Sequence, residues 1–177
     1  MSKVLIVDDN ETEIRSPLVR QLGRVFGPEN ILGAANGAEA LSILRAQSGQ
    51  VGVIVLDIMM PVMDGISTCR AVRSAVEYDG VYIAMLTGRD GGLPEGLEVG
   101  ANVYLRKPCQ IEEMIAVVKR GLAEFEKYQN QMADRTTMEG RLYRVEVEKE
   151  YLQRANAAAE VPPSKDPPAG WLDWIGR

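Results

Sequence analysis

The stretch Val51-Gly52-Val53-Ile54-Val55-Leu56-Asp57 is an apolar run of strand length that ends on a carboxylate. An apolar run with no polar alternation is typical of a parallel strand that is covered on both faces. Similar short runs recur before and after it, at Val4-Leu5-Ile6-Val7, Ile31-Leu32, Val81 to Leu86 and Val103-Tyr104-Leu105. The sequence therefore predicts five strands within its first 128 residues.

Helical spacing occupies the stretches between these runs, because apolar residues there recur every three or four positions. Strands that alternate with helices favour a doubly wound α/β fold, with five parallel strands and five helices over residues 1–128. Pro17 lies within the first helical pattern, so we expect a kink or a helix start after Ser16. The apolar positions are Ile14, Leu18, Leu22 and Val25; Ala38, Leu41 and Leu44; Ile66, Cys69 and Val72; and Ile111, Met114, Ile115, Val118 and Leu122.

Composition excludes several classes of function. The 177 residues, 46% of them hydrophobic, suffice for one core and an extension, but not for a second full domain. The net charge of −5 opposes a nucleic-acid partner, and the absence of histidine together with only two cysteines opposes zinc, disulfide and Cys-His chemistry. No apolar run has the length of a membrane span and the N-terminus does not read as a signal peptide, so we expect a cytoplasmic location and no membrane partner.

Polar residues follow four of the five predicted strands. Asp8 and Asp9 follow the first, Asp57 ends the third, Thr87 ends the fourth and Lys107 follows the fifth. Taken singly, such residues are usually turn residues, helix caps or solvated surface. In an open α/β sheet, however, the carboxyl ends of the strands lie at one edge, where ligands bind. We therefore expect these five side chains to meet there.

Three carboxylates at one edge would repel one another unless a hard divalent cation lies among them. Mg²⁺ is the natural candidate, because it binds through one or two carboxylates together with phosphate oxygens. Asp57 could then act as ligand and nucleophile, while Lys107 and Thr87 neutralise the oxygens of a transferred phosphoryl group. The strand ends therefore predict phosphoryl chemistry at Asp57.

Five motifs together resemble the receiver domains of bacterial two-component response regulators over residues 1–128. The motifs are Val7-Asp8-Asp9-Asn10, Ala35-Asn36-Gly37-Ala38-Glu39-Ala40-Leu41, Leu56-Asp57-Ile58-Met59-Met60-Pro61-Val62-Met63-Asp64-Gly65, Leu86-Thr87-Gly88 and Gly100-Ala101-Asn102-Val103-Tyr104-Leu105-Arg106-Lys107-Pro108. The resemblance implies a flavodoxin-like receiver fold, and a phosphorelay role in which a histidine kinase, a phosphotransfer protein or a small phosphodonor phosphorylates Asp57. It implies a signalling protein that is an enzyme only in the limited sense of self-phosphorylation and self-dephosphorylation.

The same resemblance assigns roles to individual residues. It implies that Asp8, Asp9, Asp57 and the backbone carbonyl of Met59 hold Mg²⁺, and that Thr87, Lys107 and the Gly88 N–H bind the phosphoryl group. It also implies that Tyr104 is the switch aromatic and that the Lys107–Pro108 peptide bond is cis. The downstream target would bind the face formed by the fourth helix, fifth strand and fifth helix. Residues 88–99, where that fourth helix would lie, are rich in helix breakers, so we expect it to be short and mobile.

The last 49 residues predict an extension with no catalytic constellation. Apolar spacing continues through Phe125, Tyr128 and Met132, and a shifted series at Met138, Leu142, Val145 and Leu152 follows over residues 129–160. We expect a long helix that either pairs with a second copy as a homodimeric coiled coil or folds as a hairpin near Gly140. Residues 161–177 predict a Pro-rich linker ending in a tail with Trp171 and Trp174, which is either a docking peptide or packed on its own domain.

Two other functions compete with the phosphorylated switch. A degenerate receiver would act as an interaction module without phosphorylation, and the complete set of five polar side chains opposes it. A DNA-binding regulator would need a basic output domain. Residues 129–177 carry seven basic against eight acidic residues and no helix-turn-helix pattern, so no nucleic-acid partner is expected.

Overall fold

The apolar runs form one parallel sheet, as the sequence predicts. The computed structural model describes residues 2–88 and 99–159, with the side chains of residues 140–159 described only at Leu142 and Lys149. The strand order is β2-β1-β3-β4-β5, and every neighbouring pair is parallel. The strands are β1 (Lys3–Val7), β2 (Ile31–Ala34), β3 (Val51–Asp57), β4 (Tyr82–Thr87) and β5 (Val103–Arg106).

Four α-helices connect or follow the described strands. They are α1 (Ser16–Phe26), α2 (Gly37–Ala46), α3 (Gly65–Arg73) and α4 (Ile111–Ala159). Side-chain oxygens of Asn36 and Asp64 cap α2 and α3, since each accepts a backbone N–H of the first turn. The predicted helix between β4 and β5 falls on residues 89–98, and the Pro-rich tail on residues 160–177, both outside the described residues. The fifth predicted helix is therefore α4.

Two apolar clusters, one on each face of the sheet, account for the doubly wound prediction. Alternate residues of β3 divide between them: Ile54 and Leu56 pack in the cluster beneath α2 and α3, whereas Val53 and Val55 pack beneath α1 and α4. All residues of β3 are buried because helices cover both faces, which is why its sequence shows no polar alternation. Cys69 is buried in the first cluster, where its place on the apolar stripe of α3 puts it.

Pro17 sets where the first α-helix begins. The helix starts at Ser16, one residue earlier than the expected start after Ser16, and a π-helical turn (Glu11–Arg15) precedes it. Proline has no N–H to donate, so the regular hydrogen-bond ladder cannot extend back through this residue. Within the turn, the Arg15 N–H donates to the Asn10 carbonyl, five residues back, at 2.9 Å. The hydrogen bond of the π turn therefore spans one residue more than that of a regular α-helical turn.

The helix α4 is 49 residues long. It runs without interruption through Gly140, so the hairpin that the sequence left open is not formed at that glycine. The described residues up to Gln131 belong to one compact unit, and those from Met132 onward belong to a second. No helix in the described part of the chain is both long and apolar enough to cross a membrane.

Candidate functional site

Three carboxylates from two strand ends meet at the carboxyl edge of the sheet. Asp8 follows β1 and is fully buried, Asp57 is the last residue of β3 and only 7% exposed, and Asp9 is exposed. One carboxylate oxygen from each lies within 4.8 Å of the others. The arrangement follows from topology, because β1 and β3 are adjacent parallel strands whose carboxyl ends coincide. It provides the all-oxygen, acidic donor set that suits a hard divalent cation.

Lys107 is the cation of this site. Its Nζ lies 2.8 Å from Asp8 Oδ2 and 3.0 Å from Asp57 Oδ1, so one ammonium group bridges the two buried carboxylates. Lys107 directly follows β5, and its backbone N–H donates to the Thr87 carbonyl at 2.7 Å. The Lys107–Pro108 bond is cis, as expected. Strand β5 lies two strands away from β3, and the long Lys side chain spans the intervening end of β4.

Burial and charge act against each other at this pair. Burial raises the pKa of Asp57 above the ordinary carboxyl value of 3.8, while the hydrogen bond and charge of Lys107 oppose that rise. Burial by itself would lower the pKa of Lys107, but its hydrogen bonds to Asp8 and Asp57 outweigh this effect and raise it above 10.5. The ammonium is therefore held in its charged form, and its charge opposes the protonation of Asp57 that burial favours.

The remaining predicted residues lie at the end of β4, on β5 and in the loop after β3. Thr87 ends β4 and donates its hydroxyl to the Leu105 carbonyl at 3.4 Å, and Gly88, the next residue, is exposed. The Met59 side chain is 75% exposed in the loop after β3. Tyr104, in the register position opposite Met85 of β4, is half-buried against the core. Thr87 and the Gly88 N–H therefore lie at the carboxyl end of β4, the strand that pairs with the Asp57 strand β3.

Two contributors to the site were not predicted from the sequence. The Asn10 N–H donates to Asp8 Oδ1 at 2.9 Å, and Arg15 Nη1 donates to the Asp8 carbonyl at 2.5 Å. Asn10 could have been found, because a short polar residue after an Asp pair favours a local turn. Arg15 could not, since its reach depends on the π turn, which the apolar spacing does not reveal.

An apolar groove opens beside the acceptor. It has a volume of about 460 Å³ and lies between α1 and the start of α4, with Lys107 in its wall. Its apolar lining includes Ile14, Leu18, Pro108 and Met114. A partner seated in this groove would therefore contact Lys107, the residue whose side chain reaches Asp57.

Comparison with known proteins identifies the same arrangement elsewhere. The family model described as the response regulator receiver domain matches residues 4–119. The chain is 35% identical to the response regulator MprA of Mycobacterium ulcerans over 138 residues, which are 77% of this chain and 56% of that protein. It is 38% identical to MprA of Mycolicibacterium vanbaalenii over 116 residues, or 64% of this chain and 47% of that protein. The chain thus spans about half the length of the curated relatives it matches.

Solved structures agree with these sequence matches. The chemotaxis protein CheY4 of Vibrio cholerae aligns with a TM-score of 0.60 at 34% identity, over 69% of this chain and 99% of that one. A chain described as adenylate cyclase from Rhodopirellula baltica aligns with a TM-score of 0.65 at 25% identity, over 75% of this chain and 95% of that one.

Proposed function

The chain belongs to the response regulator receiver domain family of two-component systems, and on this basis we propose that it accepts a phosphoryl group on Asp57. The donor is a histidine kinase or a phosphotransfer protein, and the transfer depends on Mg²⁺. The chain then signals through contacts with other proteins. Domain boundaries that fit this role are a receiver over residues 1–128, a helical extension over 129–160 and a linker with a Trp-containing tail over 161–177.

One observation carries the proposal: a nearly buried carboxylate, Asp57, contacts an ammonium group and lies in reach of two further carboxylates. The one ammonium that contacts this cluster cannot offset all of its negative charge, because three carboxylates lie together and Lys107 pairs with two of them. A divalent cation and a phosphoryl group would complete it. A purely structural ion pair would not need Asp9, which is exposed and lies beside the other two.

The donor set fits Mg²⁺. Asp8, Asp9 and Asp57 would hold the ion together with the backbone carbonyl of Met59, and water and phosphoryl oxygens would complete its coordination. When bound, Mg²⁺ would supply neutralisation of the phosphoryl oxygens. Lys107 holds one oxygen of the Asp57 carboxylate, which fixes the orientation of the nucleophile.

Transfer needs alignment and charge neutralisation more than proton transfer. A carboxylate oxygen of Asp57 forms a bond to phosphorus while the bond from phosphorus to the donor imidazole nitrogen breaks, and the imidazole leaves with the electron pair of that bond. Lys107, the Thr87 hydroxyl and the Gly88 N–H then bind the phosphoryl oxygens. Because Thr87 donates only at 3.4 Å to Leu105, its hydroxyl can turn to the phosphoryl group at little cost.

Signalling would use the surfaces on either side of the acceptor. The groove beside Lys107 accommodates the phosphodonor, whose phosphohistidine must approach Asp57 from that edge. The downstream protein binds the face that includes β5 and α4, where inward movement of Tyr104 reports phosphorylation, or binds the tail. The extension pairs with a second copy, and the chain works in the cytoplasm.

Intact-mass spectrometry tests the acceptor role. The full chain is incubated with acetyl phosphate, with and without Mg²⁺, and compared with Asp57→Asn. We expect one added phosphoryl group that requires Mg²⁺ and is absent from the variant, because an amide is a far poorer nucleophile and a poorer ligand. If the wild-type chain gains no phosphoryl group under any condition, the degenerate, phosphorylation-independent interaction module is the correct reading.

A further inference from the structure

The peptide that joins Asp8 to Asp9 is held at its carbonyl by a side chain from the next element. Arg15 Nη1 donates to the Asp8 carbonyl oxygen at 2.5 Å, and its Nη2 lies 3.4 Å from Glu11 Oε2. Only 15% of the Arg15 side chain is exposed. Its stem lies along the backbone of Gly33 in β2, where an added Cβ would stand 3.5 Å from Arg15 Cδ. The Arg15 side chain is therefore held at its guanidinium by polar contacts and along its stem by packing on Gly33.

The two carboxylates that follow β1 are fixed in different ways. Asp8 is anchored through its own side chain, because Oδ1 accepts the Asn10 N–H and Oδ2 contacts Lys107. Asp9 is exposed, and within the described residues its carboxylate makes no hydrogen bond or ion pair. The position of the Asp9 carboxylate is therefore set by its backbone, and the peptide before that backbone is the one that Arg15 holds.

The contact depends on the π turn. Arg15 lies at its end, where its own N–H bonds to the carbonyl of Asn10 at 2.9 Å and its side chain extends back toward β1. Asn10 caps the same turn, since its Oδ1 accepts the Glu13 N–H at 3.1 Å. The backbone from Asp8 to Arg15 thus closes on itself through main-chain and side-chain hydrogen bonds. Such closure restrains a loop before any ligand arrives.

We propose that Arg15 is a positioning residue of the metal site: it holds the Asp8–Asp9 peptide so that the Asp9 carboxylate stays beside those of Asp8 and Asp57. The inference rests on the proposed function, since it assigns a role toward the Mg²⁺ of that site. Simple Coulomb repulsion makes the opposite prediction. A cation next to the acidic cluster should weaken Mg²⁺ binding, so its removal should strengthen it. The sign of the change in affinity therefore separates positioning from electrostatics.

Isothermal titration calorimetry of Mg²⁺ with the full chain measures whether the Mg²⁺ affinity falls or rises when Arg15 is substituted. Arg15→Met keeps most of the stem that packs on Gly33 and removes every donor, and we expect it to weaken Mg²⁺ binding roughly tenfold, as other supporting residues of metal sites do. Arg15→Lys keeps the charge and one flexible donor, so it should weaken binding by only about two- to threefold. Arg20→Met removes the same charge from an exposed position of α1 and should leave the affinity unchanged.

Three results would overturn the inference. An Arg15→Met protein that binds Mg²⁺ as well as wild type, or more tightly, would show that the contact has no positioning role. If that variant is unfolded by circular dichroism, the folded Arg15→Lys protein decides, and an affinity equal to wild type counts against positioning. A wild-type chain that binds no Mg²⁺ would remove the proposed metal site as well, which distinguishes failure of the proposed function from failure of the role of Arg15 alone.

Discussion

Asp57 carries both the proposed chemistry and a cost in stability. Its carboxylate is buried, and among the described residues Lys107, which also contacts Asp8, is the cationic group that forms an ion pair with it. Desolvation is the largest influence on its pKa, and it favours the neutral acid. A functional carboxylate that destabilises its own fold is the expected signature of a site built for a ligand.

This balance predicts that Asp57→Asn stabilises the metal-free protein at neutral pH. Because the folded-state pKa of Asp57 is raised above 3.8, its contribution to stability is full below that pH and is lost as pH rises through the folded value. Asparagine removes the ionisation and leaves Lys107 bound to Asp8. We expect a melting temperature higher by a few degrees at pH 7, since about 1 kcal/mol corresponds to roughly 2–4 °C at this chain length.

Calorimetry as a function of pH checks the result, with chelator present to remove divalent ions. The advantage of the variant should shrink as pH falls toward and below 3.8, where the wild-type carboxyl is also neutral. Adding Mg²⁺ should reverse the order, because the wild-type protein then gains binding energy that the variant lacks. A variant that melts lower than wild type in chelator at pH 7 would contradict this account of Asp57.

The helix α4 is held on the receiver by aromatic side chains that contact glycines. The Phe125 ring occupies the space above Gly52, and the Tyr128 ring that above Gly80. Phe125 and Tyr128 both lie beyond residue 119, where the family match ends. Gln129 Nε2 adds a hydrogen bond to the Gly49 carbonyl at 3.3 Å. The receiver therefore holds the helix through its first five turns, to residue 129.

Substitution at Gly80 tests this anchor. A Cβ at Gly80 would stand 2.2 Å from Tyr128 Cδ1, so Gly80→Ala must displace the ring. We expect a loss of roughly 1–3 kcal/mol in the free energy of unfolding, the usual cost of overpacking. Urea denaturation of the single variants and of Gly80→Ala with Tyr128→Ala measures it. The alanine at Gly80 should cost clearly less when Tyr128 is already absent, and equal costs in both backgrounds would rule out the contact.

Elements differed in how far the sequence could predict them. Strand β3 was predictable because full burial leaves an uninterrupted apolar run, and the site was predictable because parallel strands bring Asp8, Asp57 and Lys107 to one edge. The π turn before α1 was not, because Pro17 predicts an irregular helix start but no apolar period indicates that the preceding turn is π-helical. The contacts that hold α4 on the receiver were only partly predictable from the sequence. Apolar spacing extended the helix through Phe125 and Tyr128, but their glycine partners lie far away in sequence.

Beyond the receiver, the extension presents apolar side chains without cover in the described residues. Met138 and Leu142, one helical turn apart, are 66% and 64% exposed. In proteins, most helical stability comes from packing of an apolar face against another element. We expect a second copy to cover this face, as the proposed coiled coil requires.

Sedimentation velocity of the full chain tests self-association at the scale of the whole molecule. The wild-type chain should dimerise at micromolar concentrations, and Met138→Lys with Leu142→Lys should shift it to monomer, because lysines in the seam would face each other across the pair. Thr136→Lys, which adds the same charge on the opposite side of the same helix, serves as control. A wild-type chain that is monomeric with and without beryllofluoride would exclude pairing through the extension.

The central claim, that Asp57 takes the phosphoryl group, is tested most directly by chemical trapping at the residue itself. Borohydride reduces an acyl phosphate to an alcohol, so a phosphorylated aspartate becomes homoserine and can be located by peptide mass spectrometry. After incubation with Mg²⁺ and a phosphodonor, the full chain should contain homoserine at position 57, and none should form when Mg²⁺ is chelated. Homoserine at Asp8 or Asp9 instead, or at no aspartate while the chain gains phosphate elsewhere, would contradict the account.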